Sequence, residues 1–192
     1  MKRSFDLLFA IIGLSLTWWI IVFAWIAATI DTRQNGFFMQ PRVGLHGRLF
    51  KVIKIRTMRN HSDIVTTVTT RDDPRITPLG RLFRKTKIDE LPQLINVLLG
   101  QMSFVGPRPD VPGFADKLQG EEREILTLRP GITGPATIKY RNEEDILQKQ
   151  NDPETYNTNV IYPDKVKINL AYIKNWKLAM DIKYIWATIK SS

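Results

Sequence analysis

Between Leu7 and Ile30 the chain runs 24 residues without a charged side chain, LLFAIIGLSLTWWIIVFAWIAATI. At about 1.5 Å rise per residue, a helix of that length matches a hydrocarbon core of about 30 Å. Lys2, Arg3 and Asp6 precede it, and Asp31 and Arg33 follow. A cleaved signal peptide carries a shorter apolar stretch, about 7–15 residues, ending in small side chains. TWWIIVFAW has the wrong shape for that, so the pattern predicts a retained membrane-embedded segment over residues 1–31. A straight span would place Trp18 and Trp19 at mid-bilayer, away from the interfacial belts that indole prefers. Ser15 and Thr17 can bond back to the backbone and bend a helix. The pattern therefore fits a helix that returns to the face it entered as well as it fits a straight span.

Beyond residue 31 the apolar runs shorten. Phe37 to Met39 and Phe50 to Met58 predict two strands around a Gly-rich turn, the second with Lys54 and Arg56 on one face and Ile53 and Ile55 on the other. Residues 60–78 are polar, Thr-rich and interrupted by proline, which predicts a mobile loop. A short basic helix is expected over Leu79 to Thr86. A clearer one carries Leu91, Leu94, Ile95, Leu98 and Leu99 on one stripe and ends at Gly100. SFVGPRPD (103–110) and RPGITG (129–134) predict turn-rich loops with a charged helix, Glu121 to Leu128, between them. Asn151 to Asn159 predicts a polar loop. Helices are expected over Val166 to Ile173 and Met180 to Ile189, with Trp176, Met180, Tyr184 and Ile185 on a face that touches the membrane. The whole predicts an α/β, mainly helical fold. Residues 32–192 form one cytosolic catalytic domain with a short β-hairpin and surface amphipathic helices, lying on the membrane.

Composition narrows the chemistry. The 192 residues hold 28 Lys and Arg against 19 acidic residues, a net charge of +9. Residues 1–31 contain two of each sign, so the soluble part keeps the whole excess. Such a surface attracts anionic lipid head groups, and charge alone would suit nucleic acid equally. An apolar share of 43% is too low for a polytopic membrane protein. With no cysteine there is no disulfide framework, no thiolate metal site and no thiol nucleophile. The two histidines, His46 and His61, fall in loops and read as surface residues. Catalysis would have to rest on carboxylates, arginines and lysines.

The segment KIDELPQL concentrates these groups. Asp89 and Glu90 are adjacent and so do not point the same way on a helix. Pro92 would fall in the first turn if Asp89 were an N-cap, and a plain cap is one reading of Asp89. The other starts from Arg81, Arg84, Lys85 and Lys87, which crowd the carboxylate. Such surroundings predict a depressed pKa and an ionised nucleophile or metal ligand. In VGPRPD, Pro107 and Pro109 restrain the backbone on both sides of Arg108, which suits bidentate phosphate contact or a simple turn. Lys54 and Arg129 have the same double reading, phosphate ligand or solvated side chain, and a surface salt bridge is the plain reading of Arg141.

Taken together these motifs are specific. In order they are F-F-M-Q-x-R-x-G (37–44), F-K-x-x-K-x-R-T-M (50–58), D-P-R-I-T-P-x-G (73–80), D-E-L-P-Q-L-x-N-V-L-x-G-x-M-S-F-V-G-P-R-P (89–109), R-P-G-I-T-G (129–134) and R-N (141–142). This series resembles the small, monotopic bacterial polyprenyl-phosphate phosphoglycosyl transferases, the bacterial sugar transferases, over nearly the whole chain.

The resemblance implies transfer of a sugar phosphate from a UDP-sugar to undecaprenyl phosphate, giving undecaprenyl-diphospho-sugar and UMP, with Mg²⁺. It implies that Asp89 is the nucleophile that becomes a phosphosugar ester, that Glu90 is its dyad partner, and that both carboxylates serve the metal. Lys54, Arg84, Arg108 and Arg141 match the family's basic, phosphate-binding positions. Also implied are membrane lipids as partners, no nucleic acid, and an active site facing the cytoplasm at the bacterial inner membrane. Homo-oligomer formation is left open. The family often carries Ser-Pro at the middle of the membrane segment, which makes it re-entrant; this chain has Thr17-Trp18-Trp19 there. Residues 143–165 form an excursion longer than in the shortest members. Three rivals stand beside this reading: a membrane-tethered basic adaptor, a nucleic-acid binder, and a lipid-phosphate phosphatase that uses water as acceptor.

Overall fold

The computed structural model describes residues 1–60 and 69–190. Residues 61–68 of the loop expected over 60–78, His61 among them, lie outside the described residues. Helix α1 (Lys2–Thr32) is, among the described residues, the one helix long and apolar enough to cross a membrane, with a mean hydropathy of 2.4 over an 18-residue stretch. It is continuous, and Arg33 ends it in the left-handed conformation. Its buried positions fall in two groups. Ala10 packs with Val52, Val97 and Met102. Ile21, Ala24 and Ala28 pack with Ile55 and Phe83. Alanine at these positions lets the helix backbone approach its neighbours closely. Between the groups, Leu16, Trp18 and Trp19 stand exposed.

The N-terminal charges of α1 are used internally. Lys2 Nζ donates to Asp181 Oδ2 at 2.5 Å, and the same buried carboxylate accepts from the hydroxyl of Tyr172 and the indole of Trp176. Arg3 donates to the carbonyls of Val97 and Leu98. Asp6 accepts from the Ser103 hydroxyl and the Phe104 amide. Near the other end, Arg59 donates to the Asp31 carbonyl.

The hairpin forms as the alternation predicts. Strand β1 (Phe37–Val43) pairs antiparallel with β2 (Leu49–Ile55), with Phe38 opposite Lys54 and Arg42 opposite Phe50. Directly opposite residues share a face, so Gln40, Arg42, Val52 and Lys54 lie on one side. The turn between the strands places His46 and Gly47 at positive φ, and His46 is exposed. Helix α2 (Pro78–Lys85) starts where the Thr77 side chain accepts the Gly80 amide. It stops at Lys87, a non-glycine residue at φ 57°, which throws the chain into a 3₁₀ turn, Ile88–Glu90. Helix α3 (Gln93–Leu98) begins only after Pro92. This overturns the capping reading of Asp89: the left-handed turn at Lys87 puts the dyad in a turn of its own, and Pro92 holds the N-cap position.

The two Gly- and Pro-rich loops are not independent. They contain β3 (Ser103–Val105) and β4 (Gly131–Thr133), which pair in parallel. The glycines serve close approach here. A Cβ on Gly131 would stand 2.1 Å from the Gly106 nitrogen, and one on Gly134 would stand 2.3 Å from the Gly106 oxygen. The charged segment after Gly120 is 3₁₀ through Thr127. Helices α4 (Pro135–Lys139) and α5 (Glu143–Gln148) follow.

The polar loop expected over 151–159 is helical instead: α6 (Pro153–Tyr156), capped by the Asp152 side chain, runs through a π turn, Asn157–Ile161, into α7 (Tyr162–Lys174). Burial of Ile161 against the domain overrides the low helix preference of its Asn and Thr neighbours. In α8 (Leu178–Lys190) the exposed apolar face is Ile182, Trp186 and Ile189. The expected face is turned inward: Trp176 is tied to Asp181, and the Tyr184 ring meets Tyr172 at 5.9 Å.

Candidate active site

The hairpin, the 3₁₀ turn and the strand-linked loop meet at Glu90. Lys54 Nζ reaches Glu90 Oε1 at 3.0 Å from β2, and Arg108 Nη2 reaches the same oxygen at 2.9 Å from the loop after β3. Burial works against an ionised Glu90, but Lys54, Arg108 and Lys87 outweigh it and hold the carboxyl well below the usual carboxylate range. Glu90 in turn keeps the Arg108 guanidinium more firmly protonated than usual. Burial lowers the Lys54 ammonium even with Glu90 beside it.

Asp89 behaves in the opposite way. It is 7% exposed, and its Oδ1 is buried with no hydrogen-bond partner among the described residues. Burial, then the negative charge of Glu90, pushes its carboxyl up to about 6, against the pull of Lys54, Arg84 and Lys87. The depressed pKa expected for Asp89 therefore belongs to Glu90. Of the basic side chains that crowd Asp89 in sequence, Arg84 and Lys87 act on it, but the two cations bonded to its neighbour, Lys54 and Arg108, come from elsewhere in the chain. An unsatisfied buried carboxylate oxygen costs stability unless something else binds it.

The other sequence-derived candidates divide. The Arg84 guanidinium stands 3.0 Å from Glu144 and adds positive charge near Asp89. Arg141 is exposed in the turn between α4 and α5, with no ion pair or hydrogen bond among the described residues. Arg129 donates to the Gly100 carbonyl and so braces the end of α3 rather than facing the dyad.

Two residues that sequence reasoning did not single out support the site. Asn96 is fully buried and bridges α3 to the free edge of β2. It accepts the Ile53 amide at 3.0 Å and donates to the Lys51 carbonyl and to Gln101. That fixes the dyad turn against the strand that carries Lys54. Arg42, on the same hairpin face as Lys54, donates to the Pro109 carbonyl and to Gln40 Oε1. Its place in F-F-M-Q-x-R-x-G was visible, but the loop it grips lies 67 residues away.

Among the described residues no group of three or more His, Asp or Glu side chains could enclose a metal ion. Mg²⁺ usually takes only one or two carboxylates and fills its octahedron with water and phosphate oxygens. Asp89, with an unpartnered buried oxygen and Glu90 beside it, fits that sparse donor set.

The family profile described as bacterial sugar transferase matches residues 1–192. The uncharacterized sugar transferase EpsL of Bacillus subtilis (strain 168) is 35% identical over 99% of this chain and 86% of its own length. The UDP-glucose:undecaprenyl-phosphate glucose-1-phosphate transferase of Escherichia coli (strain K12) is 36% identical over 98% of this chain, which spans 39% of that protein. The undecaprenyl-phosphate galactose phosphotransferase of Salmonella typhimurium is 33% identical over 99% of this chain, 40% of that protein.

Proposed function

Because the chain belongs to the bacterial sugar transferase family, we propose that it moves a sugar phosphate from a UDP-sugar to undecaprenyl phosphate in two steps through Asp89. An Asp89 carboxylate oxygen attacks the β-phosphorus of the donor, the bond from that phosphorus to the bridging oxygen breaks, and UMP leaves with its electron pair. A phosphate oxygen of undecaprenyl phosphate then attacks the same phosphorus. The aspartyl bond breaks, and undecaprenyl-diphospho-sugar is released with the carboxylate restored. The observation that carries this reading is the unpartnered Asp89 oxygen, held beside a Glu90 that two cations already occupy.

The residues divide the work. Asp89 is the nucleophile. Glu90 holds Lys54 and Arg108 at the site, and these two cations neutralise the charge that develops on the phosphoryl oxygens. Arg108, the more exposed of the two, faces the incoming donor. Arg84 and Arg141 supply further positive charge for the diphosphate. Asp89 and Glu90 would hold Mg²⁺, which when bound shields the charge of the donor diphosphate from the attacking carboxylate.

Residues 1–31 form the membrane segment and 32–192 the catalytic domain. The membrane segment is fastened to that domain near both of its ends, which supports attachment to one face of the bilayer. That face is the cytoplasmic one, where a UDP-sugar is available. The product is the first membrane-bound intermediate of a bacterial glycoconjugate.

The test is intact-protein mass after mixing with a panel of UDP-sugars and Mg²⁺ in the absence of lipid acceptor. One donor should add one phosphosugar and release UMP. Asp89→Asn should bind the donor without the mass gain and lose turnover by several orders of magnitude. Full turnover by Asp89→Asn would refute the assignment.

A further inference from the structure

The loop that carries Arg108 is gripped from the hairpin. Arg42 Nη1 donates to the Pro109 carbonyl at 3.1 Å, and the adjacent Val43 amide donates to the Asp110 carbonyl at 2.9 Å. Arg42 Nη2 is itself held by Gln40 Oε1 at 2.7 Å, from two residues back on the same strand face. On its other side the loop is fixed by backbone bonds, the Gly106 amide to the Thr133 carbonyl and the Gly131 amide to the Pro107 carbonyl. Arg108 therefore sits on a segment bonded at 106 and 107 from β4 and at 109 and 110 from β1.

Arg42 is also a cation next to a cation. Burial, together with the nearby Arg108, lowers its guanidinium to about 10, while Asp110 and Glu90 pull the other way. Two neighbouring guanidiniums repel, and the Asp110 carboxyl beside them offsets part of that repulsion. A neutral donor could hold the Pro109 carbonyl. An arginine there adds a rigid, two-pronged grip, one nitrogen on the Pro109 carbonyl and the other on Gln40.

We propose that Arg42 is a positioning residue for phosphoryl transfer: by holding the Pro109 carbonyl, it aims the Arg108 guanidinium at the dyad and the donor phosphate. This rests on the transferase reading above. Arg42 acts through Arg108 and does not touch the reacting atoms, so its effect should vanish when Arg108 is gone.

The experiment is a double-mutant cycle in the full-length protein in detergent or nanodiscs, read as UMP release with the productive UDP-sugar. Arg42→Met should lower kcat/KM by about 10- to 100-fold, the scale of a small misplacement of a catalytic group. The loss should fall in kcat more than in KM, with the melting temperature little changed. In an Arg108→Met background, Arg42→Met should change the remaining rate less than about threefold. Arg42→Lys, which can still donate to the Pro109 carbonyl, should recover part of the activity. Equal losses in both backgrounds, or no loss with Arg108 present, would overturn the proposal. If Arg42→Met does not accumulate as folded protein, Gln40→Ala, which frees the other end of Arg42, goes through the same cycle with the same criteria. A wild-type protein that releases no UMP from any UDP-sugar refutes the transferase reading instead, and this proposal falls with it.

Discussion

Two adjacent carboxylates have been driven apart by their surroundings, and the separation has measurable consequences. With the Asp89 carboxyl near 6 and Glu90 ionised throughout, Asp89 is the one of the two that changes charge across the working range. The proposed nucleophile must be ionised, so kcat/KM for the donor is expected to rise about tenfold per pH unit up to about 6 and then level off. A flat profile down to pH 4.5 would mean an ordinary carboxyl. Stability should run the other way. A carboxyl whose folded pKa is raised favours the fold when protonated, and that contribution is lost as pH climbs from about 4 to about 6. At about 1.4 kcal/mol per pKa unit the cost at neutral pH is on the order of 2–3 kcal/mol. Asp89→Asn is therefore expected to melt at or above the wild-type temperature at pH 7.5. Glu90→Gln should melt below it, because it leaves Lys54 and Arg108 facing each other. Breaking such a pair costs about 3–5 kcal/mol when fully buried, and the exposure of Arg108 points to the low end. Differential scanning fluorimetry of the two variants separates these outcomes.

At the scale of elements, what sequence could show depended on whether the partner was local. The hairpin was legible because its alternation and its Gly-rich turn are contained in one short stretch, Phe37 to Ile55. Helices α2 and α8 were legible from their residue pattern. The β3–β4 pair was not, because strands of three residues have no periodicity. Their pairing depends on Gly106, Gly131 and Gly134 meeting backbone to backbone across more than 20 intervening residues. The same limit applies to the site. Asp89, Glu90 and Arg108 stood out through the motif they share. Asn96 and Arg42 work on backbone groups far along the chain, and a sequence does not show which carbonyl an amide or a guanidinium will find. The rotation of α8 is a further case, since the burial of Asp181 decides which face turns inward. Its exposed stripe, Ile182, Trp186 and Ile189, flanked by Lys183 and Lys190, is suited to lie in the lipid interface. In liposomes containing brominated acyl chains, Trp186→Phe is expected to remove more quenchable fluorescence than Trp176→Phe. The reverse order would mean that α8 faces away from lipid.

For the whole molecule, α1 cannot be treated as an appendage. Its apolar length suggested a separable anchor, yet Ala10, Ile21, Ala24 and Ala28 belong to the clusters that hold β2, α2 and α3. Removing it would leave those clusters open and Asp181 without Lys2. With both ends of α1 on one domain, a label reactive only outside the cell should spare cysteines placed at position 1 and at position 40 alike. Modification of position 1 alone would show that the segment crosses the membrane.

The Lys2–Asp181 pair also sets a schedule. Its partners are 179 residues apart, so at a synthesis rate of about 5–20 residues per second roughly 10 to 35 s separate the first from the second on the ribosome. Throughout that interval the apolar helix has been made and the carboxylate that secures its start has not. In the nascent chain, lipid is the one partner available to Trp18, Trp19 and Phe23 from the outset. Delivery to the bilayer is therefore expected to precede completion of the fold, so that the last bolt of the structure closes on a helix already in lipid.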